Sequence, residues 1–205
     1  MSRTIGQVIR EVKADLRAAM NGVASAAMRQ AAEAKAKETG QNPAATADYR
    51  VNFGVELPRL QALADELREE NKHQLPALAQ ALWKEQVREC RILGMLIYPP
   101  ENMDAELADL WVDDIRTVEI AQLAAMHVLS RFPGAADAAF RWVASEQEMK
   151  QILGFYTLIH IVRRTPLKPR STAELRDQAQ AALSSENLQL QLAAQRMLAA
   201  LPEDN

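Results

Sequence analysis

The groups in this chain that could do chemistry are three histidines, one cysteine and a set of clustered arginines and carboxylates. His73, His127 and His160 are far apart, and none belongs to a His-x-x-x-His pair of the kind that holds zinc on a helix. His127 and His160 read as helix residues near the core, and His73 reads as a loop residue. Cys90 is the only cysteine, which excludes an intramolecular disulfide and a cysteine-based metal cluster. It lies between Glu89 and Arg91 in an apolar-periodic segment, where a small buried core residue fits better than a nucleophile lacking a histidine partner. The glycines are not clustered into a phosphate loop, and no Gly-x-Ser-x-Gly elbow occurs. No cofactor and no metal is expected.

Anion binding is the chemistry that remains. From His160 to Arg170 the chain carries Arg163, Arg164, Lys168 and Arg170 with no acid among them. The stretch from Pro99 to Gln122 is the reverse, with Glu101, Asp104, Glu106, Asp109, Asp113, Asp114 and Glu119 against the single base Arg116. Arg88 and Arg91 share one helical face, and Arg163 and Arg164 approximately do so. Such arginines suit phosphate contacts. Ordinary solvated or salt-bridged side chains beside Glu85 and Glu89 are an equal alternative. The formal net charge of -3 counts against strong non-specific affinity for nucleic acid. Any binding must therefore come from local basic patches.

Those residues have to be positioned by helices. Alanine and leucine dominate, β-branched and aromatic residues are sparse, and no segment alternates in the manner of a strand. Ile5, Val8, Ile9, Val12 and Leu16 form one apolar stripe. An alanine-rich helix over 24–37 stops at Thr39-Gly40-Gln41-Asn42-Pro43. Pro58 opens a helix that turns Leu60, Leu63, Ala64 and Leu67 inward. Further helices are predicted over 75–83, 87–97, 105–115, 118–131, 135–143, 146–164, 172–183 and 188–201, the tenth with Ser171 as N-cap and Glu174 completing a capping box. Trp83, Trp111 and Trp142 fall near helix ends, suited to packing between repeats.

About ten such helices joined by short turns predict an all-α protein, an α-solenoid of HEAT-like helical repeats, with a helical bundle as the alternative. The expected organisation is a single helical-repeat domain over 1–205, with N-terminal helices over 1–48 and repeats over 49–205. No apolar run reaches the ~20 residues needed to cross a bilayer, and the N-terminus lacks a signal-peptide core, so a cytoplasmic protein is expected.

Several short stretches are more specific. They are Met20-Asn21-Gly22-Val23 with Met28-Arg29, Tyr49-Arg50-Val51-Asn52-Phe53-Gly54-Val55, Leu82-Trp83-Lys84-Glu85, Trp111-Val112 and Phe140-Arg141-Trp142-Val143-Ala144. In this order the chain resembles the DNA alkylation repair family, the HEAT-like-repeat alkylpurine DNA glycosylases. The resemblance implies a solenoid whose concave basic groove embraces duplex DNA, damaged DNA included, and a role in base excision repair of N3- or N7-alkylated purines. It also implies a departure. The family's catalytic aspartate falls on Gln122, a sugar-stacking tryptophan falls on Val118, and a second tryptophan falls near Arg196. An amide cannot supply the electrostatic stabilisation that a carboxylate gives a developing oxocarbenium ion. Glu119, three residues earlier and on roughly the same helix face, is the nearest acid and a candidate substitute, so the resemblance implies reduced, altered or no glycosylase activity. The expected site is therefore a DNA-binding one without a catalytic residue, formed by Arg88, Arg91, Arg116, Gln122, Arg163 and Arg164. The other reading of the same residues is a helical-repeat scaffold for a protein partner.

Overall fold

Apolar periodicity and proline–glycine punctuation give helices in nearly every place the sequence predicts them. The computed structural model describes residues 3–39 and 47–202. Among them eleven α-helices occur and no strand, only an isolated bridge between Val51 and Val87. They are α1 (Ile5–Ala18), α2 (Gly22–Thr39), α3 (Leu57–Glu70), α4 (Leu75–Trp83), α5 (Arg88–Ile97), α6 (Ala105–Asp113), α7 (Val118–Ala124), α8 (Ala135–Val143), α9 (Glu148–Val162), α10 (Pro169–Ala182) and α11 (Leu188–Ala200). The predicted stop at Gly40–Pro43 lies outside the described residues.

The chain divides at the Pro99-Pro100 pair into two compact units, residues 1–99 and 100–205. In the first, α5 packs on α4 and α3, and α1 lies against α4 and α5. Val8, Val12 and Leu16 of α1 are buried, as are the four predicted positions Leu60, Leu63, Ala64 and Leu67 of α3. Each such leucine contributes roughly 1.5–3 kcal/mol by leaving water. In the second unit α9 is the central element. It packs on α8, α11, α7 and α6, and α10 lies on α11. Its residues from Ile152 to Ile159 are all buried.

The two units repeat one packing device. Ile92-Leu93-Gly94 on α5 and Ile152-Leu153-Gly154 on α9 place a glycine where the preceding helix comes closest. A Cβ on Gly94 would lie 2.8 Å from the Ala79 carbonyl oxygen, and one on Gly154 would lie 2.8 Å from the Val143 nitrogen. Only hydrogen fits at either contact. The helices α4/α5 and α8/α9 are thereby drawn together as hairpins, the unit from which stacked helical repeats are built.

The stretch Asn52-Phe53-Gly54-Val55 is an extended clasp across the first unit. Glu89, on α5 and fully buried, accepts from the Phe53 N–H at 3.1 Å and the Val55 N–H at 3.3 Å. Arg88 donates to the Val55 carbonyl at 3.3 Å and pairs with the Glu89 carboxylate at 3.1 Å. On the other side, the Asn21 N–H donates to the Phe53 carbonyl and the Ser25 hydroxyl donates to the Asn52 carbonyl. Gly54 bends the clasp at φ 69°, and a Cβ there would fall 2.5 Å from the Asn21 carbonyl oxygen. The motif with the strongest sequence signal is thus an internal tie, with these backbone groups bonded inside the unit.

Two local expectations differ. Helix α10 begins at Pro169 with Lys168 as N-cap, so Ser171 already lies within the first turn and does not cap it. Proline's fixed φ and missing N–H suit the first helical position and move the start upstream. The segment predicted as one helix over 118–131 is α-helical only to Ala124 and passes into a π turn, Ala125–Leu129.

Candidate nucleic-acid interface

In the second unit, the end of this π turn and the end of α9 meet. The Ser130 N–H bonds back to the Ala125 carbonyl at 3.2 Å, the five-residue step of a π turn, and leaves the Ser130 carbonyl without a helical partner. Arg164 supplies one. Its guanidinium donates to the Ser130 hydroxyl at 3.3 Å and, through its other terminal nitrogen, to the Ser130 carbonyl. Ser130 is buried while Arg164 is largely exposed, so the arginine covers the end of one helix from the end of another.

Around this joint the side chains are basic. Arg131 and Arg163 are exposed, and half-buried His160 lies close to both. Burial holds the His160 imidazole below its ordinary value, and the positive charges of Arg163, Arg164 and Arg131 lower it further. The bonds from Arg164 to Ser130 bring the Arg163-Arg164 pair beside Arg131, the residue that follows Ser130. No acid occurs in the chain between Glu119 and Asp137, nor between Glu148 and Glu174, so neither contributing segment carries its own counter-charge. Lys168 and Arg170, at the start of α10, are exposed as well.

The six sequence-predicted residues are distributed unevenly about this cluster. Arg163 and Arg164 belong to it. Arg116, exposed in the turn between α6 and α7, and Gln122, half-buried on α7, lie in the same unit. Arg88 and Arg91 do not face solvent. They are 6% and 3% exposed, Arg88 in the ion pair with Glu89 and Arg91 with its guanidinium 4.9 Å from the centre of the Trp83 ring. Neither is a solvated side chain: Arg88 is salt-bridged to Glu89 under the clasp, and Arg91 packs on Trp83, so the expected phosphate contacts are not available to them.

Arg131 was not singled out by the sequence, although its isolation in an acid-free stretch was a usable signal. His160, read as a helix residue near the core, is half-buried in the last turn of α9. Glu119 is half-buried in the first turn of α7, and Arg196 donates to the Tyr156 hydroxyl at 3.2 Å. No group of histidine, cysteine and acidic residues able to hold a metal occurs among the described residues. No helix of the described residues is long and apolar enough to cross a membrane.

Helical hairpins with a glycine at the closest approach, and an arginine cluster at one helix joint, define a helical-repeat protein with a basic surface. The family model of the DNA alkylation repair enzymes matches residues 16–204, and the chain belongs to that family. Its fold is similar to that of a solved structure described as representing a new family of proteins related to the HEAT-like repeat DNA glycosylases with affinity for branched DNA structures. The two agree with a TM-score of 0.72 at 16% sequence identity, over 93% of this chain and 74% of the other. The fold is thus the predicted all-α arrangement of HEAT-like helical repeats. No curated protein matches the sequence.

Proposed function

We propose that this protein binds duplex DNA through the basic surface at the end of α9, and that it does so without the alkylpurine glycosylase mechanism of its family. The observation that carries the reading is the hydrogen bonding of Arg164 to Ser130, beside Arg131, which joins two basic segments free of acids at one place. Guanidinium groups with no local carboxylate are matched to phosphodiester oxygens, and they fix a protein on a duplex without selecting its sequence. Arg116, Lys168 and Arg170 extend the surface in this reading, and Gln122 offers an amide to a sugar or base. The basic groove that the family resemblance implies would be built in part from these residues. Family membership and the likeness to a relative with affinity for branched DNA support a nucleic-acid ligand over a protein one. Such a role places the protein with DNA, in the cytoplasm.

Loss of the glycosylase mechanism follows from Gln122. A neutral amide cannot balance positive charge developing on a deoxyribose, and Glu119 sits one turn earlier on α7.

The test is a titration of duplex DNA, and of a branched junction of the same sequence, at two salt concentrations. About four phosphate contacts would lower affinity roughly a hundredfold between about 50 and 200 mM salt. R131E and R163E should each weaken binding to every sequence alike. Failure to bind either DNA even at the lower salt would remove the proposal. Capture of a partner from nuclease-treated lysate would then favour the protein scaffold.

A further inference from the structure

The basic cluster holds one group whose charge is not fixed. His160, in the last turn of α9, precedes Arg163 and Arg164 by one turn, and Arg164 bonds Ser130 beside Arg131 at the end of the π turn. Those three arginines are the charged groups that act on it among the described residues. Of the elements packed on α9, α11 carries no acid, and Asp109 and Asp113 of α6 pair with Arg141 and Lys150. Glu106 of α6, Glu119 of α7 and Asp137 of α8 are the other carboxylates. His127, half-buried in the π turn, is the other titratable group of the adjoining segment. Half-burial leaves the imidazole reachable from solvent but poorly hydrated. In the free protein a proton on it is opposed by lost solvation and by three positive neighbours.

A phosphodiester seated on the arginines reverses that balance. Its charge cancels the repulsion from the guanidinium groups and adds an attraction to the imidazolium, which favours the protonated ring. We infer, building on the DNA-binding reading above, that DNA phosphate at this cluster draws a proton onto His160, which becomes a further cationic contact and makes affinity rise as pH falls. The sign follows from linkage. The bound state holds the proton more tightly than the free state, so binding takes up a proton at pH values between the two titrations. Affinity is flat above that window and gains within it. The residue thereby regulates the same surface that the arginines build.

The experiment measures affinity for one unmodified duplex at about pH 7.5 and about pH 6, where carboxylates remain ionised. The unaltered protein is expected to bind about three- to tenfold more tightly at the lower pH, H160Q to bind equally at both, and H127Q to keep the gain. In parallel, the His160 ring resonances of the unaltered protein are titrated with and without saturating duplex. Their midpoint should move upward with DNA. Undiminished DNA binding with no pH dependence, or with the same dependence in H160Q, overturns the inference and leaves the DNA-binding reading standing. A ring midpoint unmoved by bound duplex overturns it whether or not H160Q folds. Absence of binding at both pH values removes the inference together with the reading beneath it.

Discussion

Arg164 hydrogen-bonds both the hydroxyl and the carbonyl of Ser130, so one side chain closes the π turn after α7 and stands in a basic cluster at the end of α9. Its neighbour Arg163 makes no such bond and is exposed. The two arginines should therefore separate stability from binding. R164A should unfold about 1–2 kcal/mol more easily, the cost of a lost charged hydrogen bond to a buried carbonyl, and should also bind DNA more weakly. R163A should weaken DNA binding with its melting temperature unchanged. Thermal melts alongside DNA titrations measure both, and equal melting temperatures for the two variants would refute the assignment.

Glu89 is the keystone of the clasp over the first unit. It is fully buried, it accepts two backbone N–H groups, and it balances the guanidinium of Arg88, whose side chain is 8% exposed. E89A removes the counter-charge of that guanidinium and the acceptor of both N–H donors. Removing one partner of a buried ion pair costs about 3–5 kcal/mol, a large part of a domain's stability. Denaturant unfolding of E89A should show a loss of this size, with E89Q intermediate because its amide oxygen can still accept. A loss below about 1 kcal/mol would mean that the clasp is held elsewhere.

The glycines at the two hairpin contacts are expected to be intolerant of even one methyl group. In G154A the new Cβ would meet the Val143 nitrogen at 2.8 Å and the Ala139 carbonyl oxygen at 2.9 Å, both backbone atoms that cannot swing aside. Helix propensity alone favours alanine over glycine by about 1 kcal/mol. The contact must win if the hairpin is as close as described, giving a net loss of about 1–3 kcal/mol from overpacking. A stabilised G154A would show that α8 and α9 lie further apart.

These cases show what could be read from the sequence and what could not. The spans of α4 and α8 were legible because leucine and alanine recur at helical spacing within them. The end of α5 was legible from Pro99-Pro100. Burial of Arg88 and Arg91 was not, because Arg88 is covered by a segment some thirty-five residues earlier crossing over α5 and Arg91 packs on Trp83 of α4. On a helical wheel, these arginines look like any solvated pair. For the same reason the grouping of Arg131 with Arg163 and Arg164 exists only once α7 and α9 pack. The π turn that presents Arg131 has no pattern of its own in Ala125-Met126-His127-Val128-Leu129. Composition marks basic segments, whereas tertiary contact decides which of them share a surface.

Cys90 provides a check on the first unit that needs no DNA. Burial, with a smaller contribution from the Glu85 carboxylate, pushes its thiol from 9.0 up to about 12, while Lys13 opposes the change and Glu89 adds slightly to it. At neutral pH the folded protein therefore carries almost no thiolate at this position, and the sulfur has no exposure to solvent. A thiol reagent should modify it only as fast as the unit opens, and denaturant should accelerate the reaction. The same perturbation has a defined sign in stability. The folded state holds this proton more tightly than the unfolded chain, so the contribution is complete below the unfolded value of 9.0 and is lost as pH rises through about 12. Across that window the unaltered protein should lose stability more steeply than C90A, in which this titration is absent. Parallel stability curves for the two proteins, or rapid labelling at neutral pH, would place Cys90 at an accessible surface instead of within the helix pair α4/α5.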